Sequence, residues 1–279
     1  MSFSVVFLTF NSEKNIRPSI EAALRVSDDI HAVDSGSTDK TIDILLENGV
    51  KVTKHPFEHY GAQRNWAIEN LPLKYTWELH LDADEVLTEN LICELNHLKQ
   101  SLPTDIDGYF IPRQPSFLGR KIFHGAMFPI WHMRLFRHGK GRCEDRKYDQ
   151  HFFVNGKTSQ LRGVMLDHVC DNLSEWVIKH NRWAESEVDE LLSTNTSGRI
   201  APNLQGNPVE QKRFWRKIYN GLPLFVRPFL LFFYRYFLRL GFLDGVEGFI
   251  FFILKDFWFR FLVDAKMFER INKNNKIMH

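Results

Sequence analysis

The chain of 279 residues has only three cysteines, Cys93, Cys143 and Cys170, and no two are spaced as a C-x-x-C pair. An odd count without short spacing argues against a disulfide framework or a zinc site and favours a reduced, intracellular setting. Net charge is equally scarce. Thirty-six Lys and Arg face 34 Asp and Glu, leaving +2, so no global field invites nucleic acid as a partner. No run of 18 uninterrupted apolar residues occurs, so a conventional spanning helix is not indicated. The opening SFSVVFLTF has neither the basic start nor the small-residue cleavage site of a secretory signal, and no internal repeat or low-complexity tract is present.

What is present is a core. The 44% apolar content of a chain this long supports one large domain or a domain with an appendage, and many of the 25 Phe fall after residue 210. Residues 3–9, FSVVFLT, form an apolar, β-branched and aromatic run suited to a strand buried on both faces. The spacing predicts a helix over 16–24, a strand over 30–33, and a helix over 40–47 capped by Asp39 and ended by Gly49. A strand over 50–54, a helix over 61–70 and a strand over 77–81 follow. This alternation implies an α/β fold with a parallel-rich sheet flanked by helices, in which ligands sit beyond the carboxyl ends of the strands. Polar clusters at 9–13, 34–39 and 82–85 fall at those ends. Between 108 and 168 the pattern predicts several short strands with long loops. A helix over 173–192 comes next, and the polar stretch 194–210 is the expected boundary between a domain of residues 1–205 and an appendage of 206–279.

The most acidic strand end is LDADE, residues 81–85. By itself it fits a solvated turn. In D-x-D at a strand terminus, however, period-two alternation sends Asp82 and Asp84 to the same side. A divalent cation would relieve their repulsion, and Mg²⁺ or Mn²⁺ is suited to one or two carboxylates completed by phosphate oxygens. Such a site serves a diphosphate leaving group.

Four stretches, LTFNSEKNI, AVDSGSTDKT, GAQRNWAI and LHLDADE, agree in order and spacing with a known family. The first half of the chain resembles the inverting family 2 glycosyltransferases of the GT-A fold. The YDQH stretch resembles a subgroup acting in bacterial lipopolysaccharide-core, capsule and exopolysaccharide synthesis. The resemblance implies that Thr9, Phe10 and Glu13 line the nucleotide pocket, that Asp34 accepts from the base, and that Arg64 and Asn65 approach the nucleotide-sugar. It implies that Asp82 faces ribose or metal and that Asp84 holds Mg²⁺ or Mn²⁺ through the diphosphate. His168 would complete the metal shell, an imidazole being a good ligand for Mn²⁺. The bland alternatives are a loop acid for Asp34, a surface salt bridge for Arg64 and a satisfied structural histidine for His168.

In this resemblance one carboxylate deprotonates the acceptor. The candidates are Glu144, Asp145 and Asp149 in RCEDRKYDQHFF, where some relatives carry a H-E pair in place of Asp149-Gln150. Asp149 is preferred, because Asp145 is flanked by Arg142, Arg146 and Lys147, and cations make a carboxylate a weaker proton acceptor. On a solvated loop those cations would simply neutralise Glu144 and Asp145.

Residues 214–262 read as an aromatic helical hairpin turning at GFLDGVEG. From 211 onward there are 13 Lys or Arg and five acids. An apolar surface too large for the chain to cover favours docking on a bilayer, with Arg235, Arg239, Lys255 and Arg260 reaching headgroups. The expected protein is therefore a metal-dependent hexosyltransferase. It would take a UDP-sugar donor and a lipid-linked or lipopolysaccharide glycan acceptor, on the inner face of a bacterial cytoplasmic membrane. The rivals are a sugar nucleotidyltransferase, which would want a glycine-rich basic loop where NSEKN stands, and a membrane-docked scaffold that binds nucleotide without turnover.

Overall fold

The structure, a computed structural model, describes residues 2–170, 172–193 and 198–277. It divides into two compact units, Met1–Gln114 with Ile130–Arg146 and Gln150–His168, and Pro115–Pro129 with Lys147–Asp149 and Val169–His279. The break expected at 194–210 is not where this division falls, and its residues 194–197 lie outside the described residues. The second unit already contains the helix over 173–192, because that helix buries its apolar face on the C-terminal helix of the same unit.

In the first unit β1 (Ser4–Thr9), α1 (Ile16–Leu24), β2 (Asp29–Asp34), α2 (Thr41–Glu47), β3 (Lys51–Lys54), α3 (Tyr60–Asn70) and β4 (Trp77–Asp82) alternate as the sequence implies. The strands β3, β2, β1 and β4 are parallel neighbours. The N-cap of α2 is Lys40, and Asp39, one residue before it, accepts from the Thr41 amide at 3.0 Å. Gly49 ends the helix at φ 73°, a left-handed conformation that costs glycine nothing. The residues of β1 and β4 are almost all buried; β1 reads as an apolar run, whereas β4, WELHLD, alternates, its buried Glu78 and His80 bonding to each other at 2.8 Å.

Beyond β4 come β5 (Glu85–Leu87), α4 (Glu89–Leu98), β6 (Gly108–Phe117), β7 (Arg120–Lys121), β8 (Ile130–Arg137), β9 (Gly141–Cys143), β10 (Phe152–Val154), β11 (Thr158–Gln160) and β12 (Met165–Cys170). The sheet continues in the order β4–β8–β6–β12–β5. Here β8 runs antiparallel to both β4 and β6, and β5 antiparallel to β12. The expectation of only short strands is corrected at β6 and β8, which are ten and eight residues long. Their prolines and arginines had masked them, yet β6 is buried along nearly its whole length. One core of Phe3, Phe7, Ile20, Trp77, Leu79, Leu91, Ile111 and others packs the sheet on its helices. Each such side chain contributes ~1.5–3 kcal/mol by leaving water.

The second unit is helical and aromatic-rich. It contains α5 (Leu173–Leu192), α6 (Pro208–Asn220), α7 (Arg227–Phe233), α8 (Gly245–Phe252) and α9 (Phe259–Ile277). The side chains of Asn172 and Asn207 cap α5 and α6, each accepting two amides of its first turn. Ala184 and Val188 of α5 pack against Phe259 and Val263 of α9. The expected hairpin exists, but its first arm begins at Arg227, after the Gly221–Pro223 break that separates α6 from it. That arm continues as a π-helical turn over Tyr234–Leu238, reverses through a 3₁₀ turn at Gly241–Asp244, and returns as α8, a π-helical segment Ile253–Trp258, and α9.

His180 of α5 is buried, stacked on Trp176 at 3.4 Å between ring centroids and edge-on to Phe259, with Nδ1 donating to the Trp176 carbonyl. Burial, only partly opposed by that hydrogen bond, pushes its pKa from 6.5 down to about 3. The folded state therefore holds a neutral imidazole that the unfolded chain protonates. Stability is full above about pH 6.5 and is lost as pH falls from there toward 3, by ~2 kcal/mol at pH 5. Urea melts at pH 7 and 5 should show this loss in the wild type and a smaller one in His180→Gln. An equal acid loss in both would remove His180 as its source.

Candidate active site

The parallel register places Thr9 beside Asp34 and Leu8 beside Asp82, so the carboxyl ends of β1, β2 and β4 share one rim. Three expected pocket residues build its walls. Thr9 is buried and donates its hydroxyl to Asp34. Glu13 accepts from the Lys40 amide while its own amide donates to Asp39, lacing the loop after β1 to the loop after β2. Phe10 projects from the first loop, 58% exposed.

Asp34 is fully buried, and four donors within the chain meet its carboxylate: Thr9 Oγ1, Ser37 Oγ, and the Gly36 and Ser37 amides. Four is about what a carboxylate can accept. In this arrangement Asp34 fixes the 35–37 loop in place, and that loop shapes the rim. Asn65 behaves similarly. Its amide group exchanges two hydrogen bonds with the Cys143 backbone, at 3.0 and 2.8 Å, and so pins β9 to α3.

LDADE divides into three different environments. β4 ends at Asp82, so the alternation that was to bring Asp84 to the same side stops there, and Asp84 lies in the turn before β5. The repulsion between Asp82 and its neighbours is relieved by arginines. Arg64 Nη2 donates to Oδ1 of Asp82 at 2.7 Å, and Arg134 Nη2 donates to Oδ2 at 2.7 Å and to the buried Glu85 at 2.5 Å. Arg113 stands 3.7 Å from Glu85 and 3.4 Å from Asp167. Burial would raise the Asp82 pKa, but the charges of Arg134 and Arg64 outweigh it and hold the carboxyl well below the usual range. Glu85 is pushed up by burial, which the Arg134 charge opposes and the Asp82 charge beside it reinforces. Arg113 and Arg134 went unnoticed as partners in the sequence. The available signal was Arg134 between Met133 and Leu135 in β8, since a buried arginine is tolerated only with a carboxylate opposite.

Asp84 has one notable neighbour. The His168 amide donates to the Asp84 carbonyl at 3.2 Å, continuing the β5–β12 pairing. The two residues, 84 positions apart, therefore lie side by side, and both are partly exposed. Among the described residues no group of three or more His, Cys, Asp and Glu forms a metal cluster. A carboxylate in the turn before β5 and an imidazole on β12 are nonetheless ligand types that suit a divalent cation. Asp82, with both oxygens held by arginines, fits that role less well.

The three candidate bases occupy unlike places. Glu144 is fully buried and accepts from the His151 amide at 3.0 Å, locking the turn between β9 and β10. Asp145 has a side chain 70% exposed, with His59 Nε2 at 3.2 Å. His59 caps α3 by accepting the Ala62 amide on Nδ1, which leaves its Nε2 on the side of Asp145. At Gly61, one turn away, an added Cβ would stand 2.3 Å from the Glu144 carbonyl, so glycine is what lets α3 approach the Glu144-Asp145 pair. The cationic neighbours expected at Asp145 point elsewhere: Arg142 pairs with Glu69 and Lys147 with Asp189.

Asp149 belongs to the second unit, at φ 54°. Lys212 Nζ lies 2.8 Å from its carboxylate, Arg213 Nη1 2.6 Å and Arg216 Nη1 2.5 Å. Burial presses the Lys212 ammonium down to about 8 against the opposing Asp149 charge. The premise that favoured Asp149, few adjacent charges, is reversed by folding, since α6 delivers three cations from more than sixty positions away.

The family model described as Glycosyl transferase family 2 matches residues 4–164, more than half of the chain. A protein of Rickettsia bellii named as an uncharacterized glycosyltransferase is 34% identical over 102 residues, 37% of this chain and 34% of that protein. A Rickettsia typhi counterpart is 33% identical over 95 residues, 34% of this chain and 32% of its own length. The chain thus spans about a third of the length of the curated relatives it matches. Among solved structures, S. aureus TarS (residues 1–349) is similar at 15% identity, covering 97% of this chain and 92% of that one with a TM-score of 0.44. Glucosyl-3-phosphoglycerate synthase from Mycobacterium tuberculosis, in complex with Mg²⁺ and UDP, is similar at 21% identity over 40% of this chain and 43% of that one, with a TM-score of 0.33. By the family match over residues 4–164, the chain belongs to glycosyl transferase family 2.

Proposed function

We propose that the protein transfers a sugar from a nucleoside diphosphate sugar, a UDP-sugar, to a hydroxyl of a lipid-linked or lipopolysaccharide glycan, inverting the anomeric carbon. The observation that carries this is the shared rim of β1, β2 and β4, where Thr9, Asp34 and Asp82 meet and Arg64 leans in from α3. Phe10 offers an exposed ring for the nucleotide base to stack on. Asp34 holds the 35–37 loop at the rim, and Glu13 holds the loop after β1. Arg64 and Arg134 keep Asp82 ionised and oriented for the ribose. Asp84 and His168 would hold Mg²⁺ or Mn²⁺, which neutralises charge on the departing diphosphate when bound.

The acceptor hydroxyl forms the new bond at the anomeric carbon as the bond to the diphosphate oxygen breaks. The bonding electrons leave with the nucleoside diphosphate, and the hydroxyl proton passes to a carboxylate. Asp145 is the base in this reading, because it is exposed and stands 3.2 Å from His59 Nε2. Lipid attachment of the acceptor is supported by the exposed aromatic surface of the C-terminal hairpin. The setting would be the inner face of a bacterial cytoplasmic membrane.

The test is a screen of nucleotide-sugars with Mn²⁺ and a bacterial membrane lipid extract as acceptor, following nucleoside diphosphate release. One UDP-sugar should give release that depends on the extract. Absence of acceptor-dependent release with every donor would leave a scaffold that binds nucleotide without turnover.

A further inference from the structure

We infer that the turn of the C-terminal hairpin is a monotopic docking element that enters one leaflet of an anionic bilayer. This deepens the membrane setting proposed above and rests on that reading only for its purpose, since its evidence lies wholly in the second unit. The hairpin keeps its own charges inside. Arg227 and Asp264, both buried, pair through two hydrogen bonds, and Arg235 donates to the buried Asp256 at 2.7 Å. The buried Asp244 accepts from the Phe123 and His124 amides and from His124 Nδ1, tying the turn to the 115–129 segment. This corrects the expectation that Arg235 and Arg260 reach headgroups: Arg235 is bound to Asp256, and Arg260 to Glu187 at 2.7 Å. Lys255 lies over the Phe251 ring.

With those charges internal, the outer face is apolar. Phe229, Phe233 and Phe237 recur every fourth residue on one stripe and are 55%, 54% and 47% exposed. Leu238, Phe242 and Val246 carry the surface round the turn at 64%, 45% and 70%. A soluble surface seldom shows contiguous apolar area of this kind without a partner. Among the described residues no helix is long and apolar enough to cross a membrane, so the surface lies in an interface and does not span.

Charge identifies the occupant. Most of the basic side chains of this region are held in internal ion pairs, but Arg239, next to Leu238 of the apolar face, is exposed, as is Lys217 in the last turn of α6. A second copy would set these exposed cations against themselves. Anionic headgroups complement them, and the acyl region takes the aromatic side chains.

The test uses the full chain in flotation with phosphatidylcholine vesicles, with and without phosphatidylglycerol, and needs no turnover. Wild type should float with the anionic vesicles, less at high salt, and the triple variant Phe233→Ser, Phe237→Ser, Val246→Ser should bind them on the order of a hundredfold more weakly. Far-ultraviolet circular dichroism should match between the two proteins. Wild type remaining with the lipid-free fraction, or the triple variant floating equally well, would overturn the inference. So would a wild-type dimer in light scattering that the triple variant abolishes without vesicle binding, because the face would then belong to a second copy. Flotation without nucleoside diphosphate release would defeat the proposed function alone, and release without flotation would defeat the docking element alone.

Discussion

Asp84→Ala is expected to lower turnover by on the order of a thousandfold, through loss of several kcal/mol of charge stabilisation on the leaving diphosphate. Asp84 lies in the turn between β4 and β5, partly exposed, and circular dichroism should show the variant still folded. Chelation of the wild type should match the variant, and Mn²⁺ should tighten donor binding in calorimetry for the wild type only. His168→Ala should follow the same pattern more weakly, since its amide pairs with the Asp84 carbonyl whatever its side chain. Asp82→Ala should behave differently. It leaves the buried Arg134 and Arg64 without one carboxylate, which costs about 3–5 kcal/mol of stability. An Asp84→Ala enzyme with full turnover, together with indifference to chelator, removes the metal from the mechanism.

The second large effect concerns the base. Asp145→Asn should cut kcat by about 10²–10⁴-fold while leaving donor affinity and melting temperature near wild type. Its side chain is 70% exposed and its one close partner is His59, so little structure depends on it. Asp149→Asn should instead unfold the second unit more readily, because Lys212, Arg213 and Arg216 lose the charge they converge on. A stably folded Asp149→Asn protein with intact donor binding and no turnover would return the base to Asp149. Glu144→Gln distinguishes the pair further. Its carboxylate accepts the His151 amide in a fully buried turn, so its expected effect is on stability.

The run from β1 to β4 was legible because each element carries its own signal. The first strand, β1, is an apolar run buried almost throughout, and Asp39 and Gly49 mark the two ends of α2. Once strands and helices alternate, handed crossover connections put the carboxyl ends on one rim, so the clustering of Thr9, Asp34 and Asp82 followed from order alone. Family membership was legible for the same reason: three of the four motifs sit at those ends, and the fourth, GAQRNWAI, lies in α3. The sequence also announced an aromatic, basic C-terminal region too apolar to be a solvated tail.

What order cannot convey is which distant charge meets which. Arg134 reaches Asp82 and Glu85 across 52 and 49 positions, and Arg213 reaches Asp149 across 64. A local view of sequence charge therefore missed the cations around both the acidic corner and Asp149, since the neighbours that set a carboxylate's behaviour are neighbours in space. The hairpin shows the same division. Composition placed basic residues among aromatics, but only packing decided that Arg227, Arg235 and Arg260 face inward to Asp264, Asp256 and Glu187. Burying a cation demands a carboxylate partner, and the inward turn of these three leaves the phenylalanines to form the outer face.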